Sequence, residues 1–217
     1  MQFRLLIAGS VLAMSAVLLR IVYTDRLTYL FLLWNLFLAW LPYALAVLAN
    51  RLFGGEKTAR KGGFLPLTLV WLFFYPNAAY MLTDLYHLVD ISFWKAQITL
   101  WYDLNMLVLY ALLGLFLGFF SFYPIYRIWR RFYGGASARL FFFGTHLLCG
   151  VGIYLGRFLR WNSWDVLLRP ADVLAETASA IVQTPQSLGF VLFMTLILLF
   201  FNGTLFILAN GKRENAD

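Results

Sequence analysis

Apolar residues run along this chain in long blocks with few charges inside them, and short connections between the blocks hold most of the arginine, lysine and aspartate. A helix needs about 20 apolar residues to cross roughly 30 Å of hydrocarbon. Runs of that kind lie at Leu5–Val22, Leu27–Leu48, Phe64–Thr83, Leu100–Tyr123, Leu140–Leu159 and Leu188–Asn210. Each is expected to be a helix, because an isolated strand cannot satisfy its backbone polar groups in lipid. The pattern therefore predicts an all-α membrane protein, a bundle of six transmembrane helices in which residues 1–217 form one domain. Ala13 and Ala16 give the first run a small-residue neighbourhood of the kind found near signal-peptide cleavage sites. Only Arg4 precedes it, however, and the apolar stretch continues to Tyr23, so a retained span is expected.

Composition narrows the class further. With 62% hydrophobic and 12% charged residues and a mean hydropathy of +0.76, the chain does not read as a soluble domain. Its one cysteine, Cys149, excludes an internal disulfide and reads as a small core residue. The net charge of +7 is unevenly distributed. If the N-terminus is inside, the cytoplasmic segments carry Arg4, then Arg51, Lys57, Arg60 and Lys61, then Arg127, Arg130, Arg131 and Arg139, then Lys212 and Arg213. The other side carries Arg20, Arg26, Lys95, Arg157, Arg160 and Arg169, offset by acids that include Asp25, Asp90, Asp172 and Glu176. This asymmetry predicts an N-in, C-in topology. It signals topology and anionic lipid, and no nucleic-acid partner is expected.

That orientation gathers unusual polar residues at the outer face. The segment "FYPNAAYMLTDLYHL" brings Asn77, Tyr80, Asp84 and His87, spaced three, four and three positions apart and so on one helical stripe. Pro76 lacks a backbone donor and clashes with the carbonyl of Leu72, which predicts a kink in the third helix just below the stripe. The fourth span starts outside with Trp101, Asp103 and Asn105. The fifth ends there with "GIYLGRFLRWNSWD", which supplies Tyr154, Arg157, Arg160, Trp161, Asn162, Ser163, Trp164 and Asp165. "GLFLG" at 114–118 and "GIYLG" at 152–156 are both G-x-x-x-G, a spacing that lets helices approach closely, so spans four and five are expected to cross there. Asn35 and Asn202 stand alone on spans two and six and read as interhelical hydrogen bonders, and His146 as a packing residue. The segment after Pro170 has the makings of a short amphipathic helix, lying on the membrane or capping the polar cluster.

The two long motifs and the six-span layout resemble the DUF1361 family of uncharacterised bacterial integral membrane proteins, over nearly the whole chain. The resemblance implies a multi-pass protein of the bacterial cytoplasmic (inner) membrane. It marks Pro76, Asn77, Tyr80, Asp84, Arg157, Arg160, Asn162, Trp164 and Asp165 as motif positions and implies no reaction.

Chemistry is argued from the groups themselves. Arginine forks suit phosphate or carboxylate, so Arg157 and Arg160 are expected to hold the headgroup of a phospholipid or lipid-linked substrate, with Asn77, Tyr80, Asn162 and Trp164 around it. Asp84 with His87 is then a general base or a pair of metal ligands, completed by Asp103 or Asp165. The cofactor is unknown. The competing reading is a scaffold or subunit that works with a membrane-protein partner, in which Asp84 or Asp103 simply pairs with Arg157 or Arg160 to set helix register. The P-loop, paired CxxC, HExxH and G-x-S-x-G signatures do not occur, so nothing supports an NTPase, a zinc ribbon, a zincin or an α/β-hydrolase.

Overall fold

The computed structural model describes residues 2–55, 62–88, 97–161 and 165–214, and their secondary structure is entirely helical. Helix α1 is Gln2–Thr24 and α2 is Phe31–Phe53; α3, Phe64–Tyr80, passes directly into a 3₁₀ helix, Met81–Leu88. Helix α4 is Gln97–Arg157, followed by α5 (Asp165–Leu168), α6 (Pro170–Gln183) and α7 (Pro185–Glu214). Among the described residues, five stretches are long and apolar enough to cross a membrane, with α3 and its 3₁₀ extension counting as one.

Helix α4 supplies two of the six expected crossings. Its backbone leaves helical geometry at Gly134, with φ 83° and ψ 171°, and this divides it into a first limb, 97–133, and a second limb, 135–157. The expected connection between spans four and five is helical up to that bend, and arginines alternate with apolar residues along it. The chain is thus an all-helical, multi-pass integral membrane protein. The Gly134 conformation is nearly restricted to glycine, so Gly134→Ala is expected to lower stability in detergent by about 1–3 kcal/mol. A Cβ there meets nothing within 4 Å, nor does one at Gly135. The cost is therefore conformational, and Gly135→Ala should melt close to wild type in the same thermal unfolding assay.

Little hydrophobic force acts between helices in lipid, so close approach depends on small residues. Ala39, Ala46 and Ala49 on α2 and Ala78 and Ala79 on α3 are buried and let α2 lie against α3 and the first limb of α4. Two apolar clusters share α3. One holds Trp71, Tyr75, Phe122 and Ile153, together with Leu198 of α7; the other holds Leu32, Met81, Leu107 and Tyr110, together with Val17 of α1. Cys149 is fully buried in the first cluster, as expected of a core residue. His146 is buried there too, with Nδ1 2.6 Å from the Phe142 carbonyl and its ring against Phe122 and Phe142.

The glycine motifs do not bring the two limbs of α4 together at those glycines. Both pack on α3, from different limbs. A Cβ on Gly114 would collide with the Ala78 carbonyl, and one on Gly118 would touch Ala78 Cβ at 3.7 Å. A Cβ on Gly152 would lie 2.6 Å from Pro76 Cγ, and one on Gly156 3.2 Å from the Tyr80 ring. Motif spacing marks a surface for close approach but carries no information about which helix fills it.

The end of α2 is tied to the first limb of α4. Arg131, on the first limb, donates to the carbonyls of Phe53, Gly54 and Gly55 and so satisfies acceptors left open at the end of α2. Lys57, Arg60 and Lys61 of the basic turn after α2 lie outside the described residues, as do Asp90 and Lys95.

Candidate functional site

Helix α3 stays α-helical through Pro76 as far as Tyr80 and only then tightens to 3₁₀ geometry. Asn77 Nδ2 donates to the Phe74 carbonyl at 3.1 Å, beside the position where the proline lacks its N–H. Because the winding changes at Met81, the stripe read from the sequence divides. Asn77 and Tyr80 line a cavity, Asp84 turns into the protein, and the His87 ring lies 4.7 Å from Phe31 at the start of α2.

Asp84 is 1% exposed and joins three elements. Asn35 of α2 donates Nδ2 to Asp84 Oδ2 at 2.8 Å, and Arg157 at the end of the second limb approaches Oδ1 at 3.4 Å. The Arg157 guanidinium also donates to the Thr83 carbonyl at 2.9 Å and sits 5.9 Å and 5.5 Å from the ring centroids of Tyr80 and Tyr86. Its charge is therefore engaged within the protein. Asn35 does form the expected interhelical hydrogen bond, but it also belongs to the site, which the sequence of α2 alone does not reveal. Asn202 differs from expectation: Nδ2 donates to Leu198 of its own helix at 3.0 Å, and Oδ1 has no partner among the described residues.

Asp103 belongs to a different group, and its pairing with Arg157 or Arg160 is not found. The carboxylate is 0% exposed and is gripped by Arg20 of α1, with Nε to Oδ1 at 2.5 Å and Nη2 to Oδ2 at 3.0 Å. The Tyr29 hydroxyl donates to the same Oδ2 at 3.2 Å. Reading the sequence for an outer cluster misses Arg20 and Tyr29 as partners. The available signal is position: Leu6, Ser10, Ala13 and Val17 form the buried face of α1, and Arg20 continues their alternating four- and three-residue spacing. A cation on the inward stripe of a transmembrane helix requires a buried partner.

A cavity of about 320 Å³ lies over α3, flanked by α2 and the second limb of α4. Its apolar part is formed by Leu38, Phe73, Phe74 and Leu155, and its polar part by Asn35, Asn77, Tyr80 and Arg160, with Trp34 and Trp161 at the edge. From Phe73 to Tyr80 the helix rises about 10 Å, so the cavity extends that far along α3. Arg160 has a left-handed backbone, φ 58°, and lies just beyond α4, where the Trp161 amide donates back to the Leu155 carbonyl at 3.1 Å. Such a conformation costs a non-glycine residue about 1–2 kcal/mol. Arg160 is exposed and has no ion pair among the described residues. Trp161 Nε1 donates to Glu176 of α6 at 2.8 Å, and Arg169 sits 5.2 Å from its ring centroid, so α6 is tied to the cavity lining through Trp161.

The remaining predicted residues lie apart. Asp165 begins α5 and is absent from the cavity wall, as is His87. Asn162, Ser163 and Trp164 fall outside the described residues. Asp84 and His87 are not joined by a third carboxylate, histidine or cysteine in metal-ligand range among the described residues.

The family described as "Protein of unknown function (DUF1361)" matches residues 34–201 of the chain. This stretch contains the whole cavity lining, Asp84 and Arg157, but leaves out α1 with Arg20. No curated protein and no solved structure matches.

Proposed function

The chain belongs to the DUF1361 family, whose description assigns no reaction, and from the geometry around α3 we propose that it binds a lipid or lipid-linked molecule with an anionic headgroup. The observation that carries this reading is Arg160, an exposed guanidinium without an ion pair among the described residues, at the polar end of a cavity whose other end is walled by Phe73, Phe74 and Leu38. A phosphate fits a planar arginine fork, and an acyl or isoprenoid chain fits the apolar end. Asn35 and Asn77 are the neighbouring amides that would bind the headgroup. Asp84 is a positioning residue: it fixes the Asn35 amide on the cavity wall and is itself balanced by Arg157. Arg157, engaged by Asp84 and the Thr83 carbonyl, is assigned no ligand contact.

The excess of arginine and lysine at the Gly134 end supports placing this cavity on the extracytoplasmic side of a bacterial inner membrane. Native mass spectrometry of the detergent-purified protein tests the reading. The wild type is expected to carry anionic lipid, and Arg160→Ala to lose one bound copy through an affinity reduction of tenfold or more, the usual worth of a charge-assisted hydrogen bond being about 1.5–3 kcal/mol. Equal lipid occupancy in wild type and variant would exclude Arg160 as the headgroup ligand. Lipid flux into liposomes then separates a carrier from an enzyme.

A second reading, a non-catalytic scaffold or subunit, is favoured by the two buried carboxylates, each satisfied within the bundle. Under it, Arg160→Ala leaves the bound lipids unchanged.

A further inference from the structure

A second cavity, of about 470 Å³, opens at the opposite end of the bundle, where α1 and α7 meet α2 and the first limb of α4. Its polar lining includes Asn50 and Arg51 from the last turn of α2 and Arg127 from the first limb. Val47, Phe119 and Phe120 form its apolar wall. No carboxylate lines it among the described residues, and both arginines are exposed and lack an ion pair there. Arg127 is braced against its own helix, its guanidinium 6.0 Å from the Tyr123 ring centroid. Arg131, one turn further along, caps α2, so the end of the helix that presents Arg51 is held against the limb that presents Arg127.

Two guanidinium groups without an ion pair in one concave site suit an anion, and their planar donors match the oxygens of a phosphate diester. A freely soluble anion would not require the aliphatic and aromatic wall. That wall lies where the apolar spans end, at the depth of lipid headgroups and the first methylenes of their chains. We infer that Arg51 and Arg127 form a binding site for the phosphate headgroup of an anionic phospholipid in the leaflet on the Gly134 side, with its chains against Val47, Phe119 and Phe120. The site is independent of the Arg160 cavity and stands whether or not that reading holds. Its occupant bridges α2 and the first limb of α4, an effect beyond general attraction to a charged membrane.

The test uses the full chain in detergent micelles, titrated with phosphatidylglycerol or phosphatidylcholine and read by native mass spectrometry. Wild type is expected to prefer phosphatidylglycerol, and each of Arg51→Ala and Arg127→Ala to weaken that preference roughly fivefold, the usual worth of one basic residue near an anionic surface. The double variant should lose one preferentially bound phosphatidylglycerol, a copy that Arg160→Ala keeps. Arg51→Gln with Arg127→Gln retains the side-chain stems and replaces the double alanine variant should that one fail to purify. An undiminished preference in either double variant overturns the proposal. Saturable binding of inorganic phosphate alone, equal in affinity to the lipid and lost with the same arginines, would make this an anion site and overturn its assignment to lipid.

Discussion

Asp103→Ala is expected to destabilise the folded bundle by about 3–5 kcal/mol, the usual penalty for removing one member of a buried ion pair. The change leaves the Arg20 guanidinium in a membrane helix without the carboxylate that now takes two of its donors, while Nη1 already has no partner among the described residues. It also takes away the acceptor of the Tyr29 hydroxyl. Helix α1 should suffer most, since its other polar ties to the body include, among the described residues, the Tyr102 hydroxyl on the Ala16 carbonyl and Trp40 Nε1 on Ser10. Unfolding of the detergent-solubilised protein by increasing denaturant measures the loss. The decisive comparison is Arg20→Met with Asp103→Leu, which removes both charges and should recover most of the stability, because apolar pairs of similar volume commonly replace buried ion pairs at little cost. A double variant as unstable as Asp103→Ala alone would show that the cost arises from lost packing, not from an uncompensated charge.

Gly114→Ala should be nearly as damaging, at about 3 kcal/mol, the upper part of the usual range for overpacking. The added methyl meets the Ala78 backbone carbonyl, and Met81 Cε and Cβ at 3.1 and 3.2 Å. A flexible side chain could turn aside, but a carbonyl on the central helix moves only if α3 moves with it. Alanine is the better helix former by roughly 1 kcal/mol, so propensity opposes the predicted loss. Gly144→Ala is the control, with nothing within 4 Å of its added Cβ, and it should melt at or above the wild-type temperature. A Gly114→Ala protein as stable as Gly144→Ala would disprove the tight contact between α3 and the first limb. Because Ala78 lies one residue beyond Asn77 on α3, the variant should also weaken ligand retention in the Arg160 cavity.

The order of residues along one helix makes part of the site legible. Asn77 and Tyr80 share a face on α3 because they are three positions apart in α-helical backbone, and both line the cavity. Asp84 and His87 fall on the same stripe only if α-helical spacing is extended past Tyr80, where the winding is 3₁₀ and the directions change. Arg160 is visible in the sequence as a charge near a helix end, but not as an arginine left without an ion pair among the described residues while its neighbour Arg157 is taken by Asp84 and Thr83. Asn35 cannot be connected to Asp84 from sequence, because a lone amide in an apolar span indicates that some partner exists and not which one.

Hydropathy along the chain already implies an all-helical membrane protein and the places of its spans, because lipid admits only segments that satisfy their own backbone and the apolar length needed is set by the bilayer. The sequence by itself also determined that each buried charge must have a partner. Tertiary structure alone decided the pairings: Asp103 with Arg20 rather than an arginine of the second limb, both glycine motifs against α3 rather than each other, and Asp84 between Asn35 and Arg157. The physical reason is one of range. Hydrophobic length and helical spacing act within a segment, whereas an ion pair or a glycine contact is chosen by which helices pack side by side, and that choice brings together residues more than seventy positions apart, as with Arg157 and Asp84.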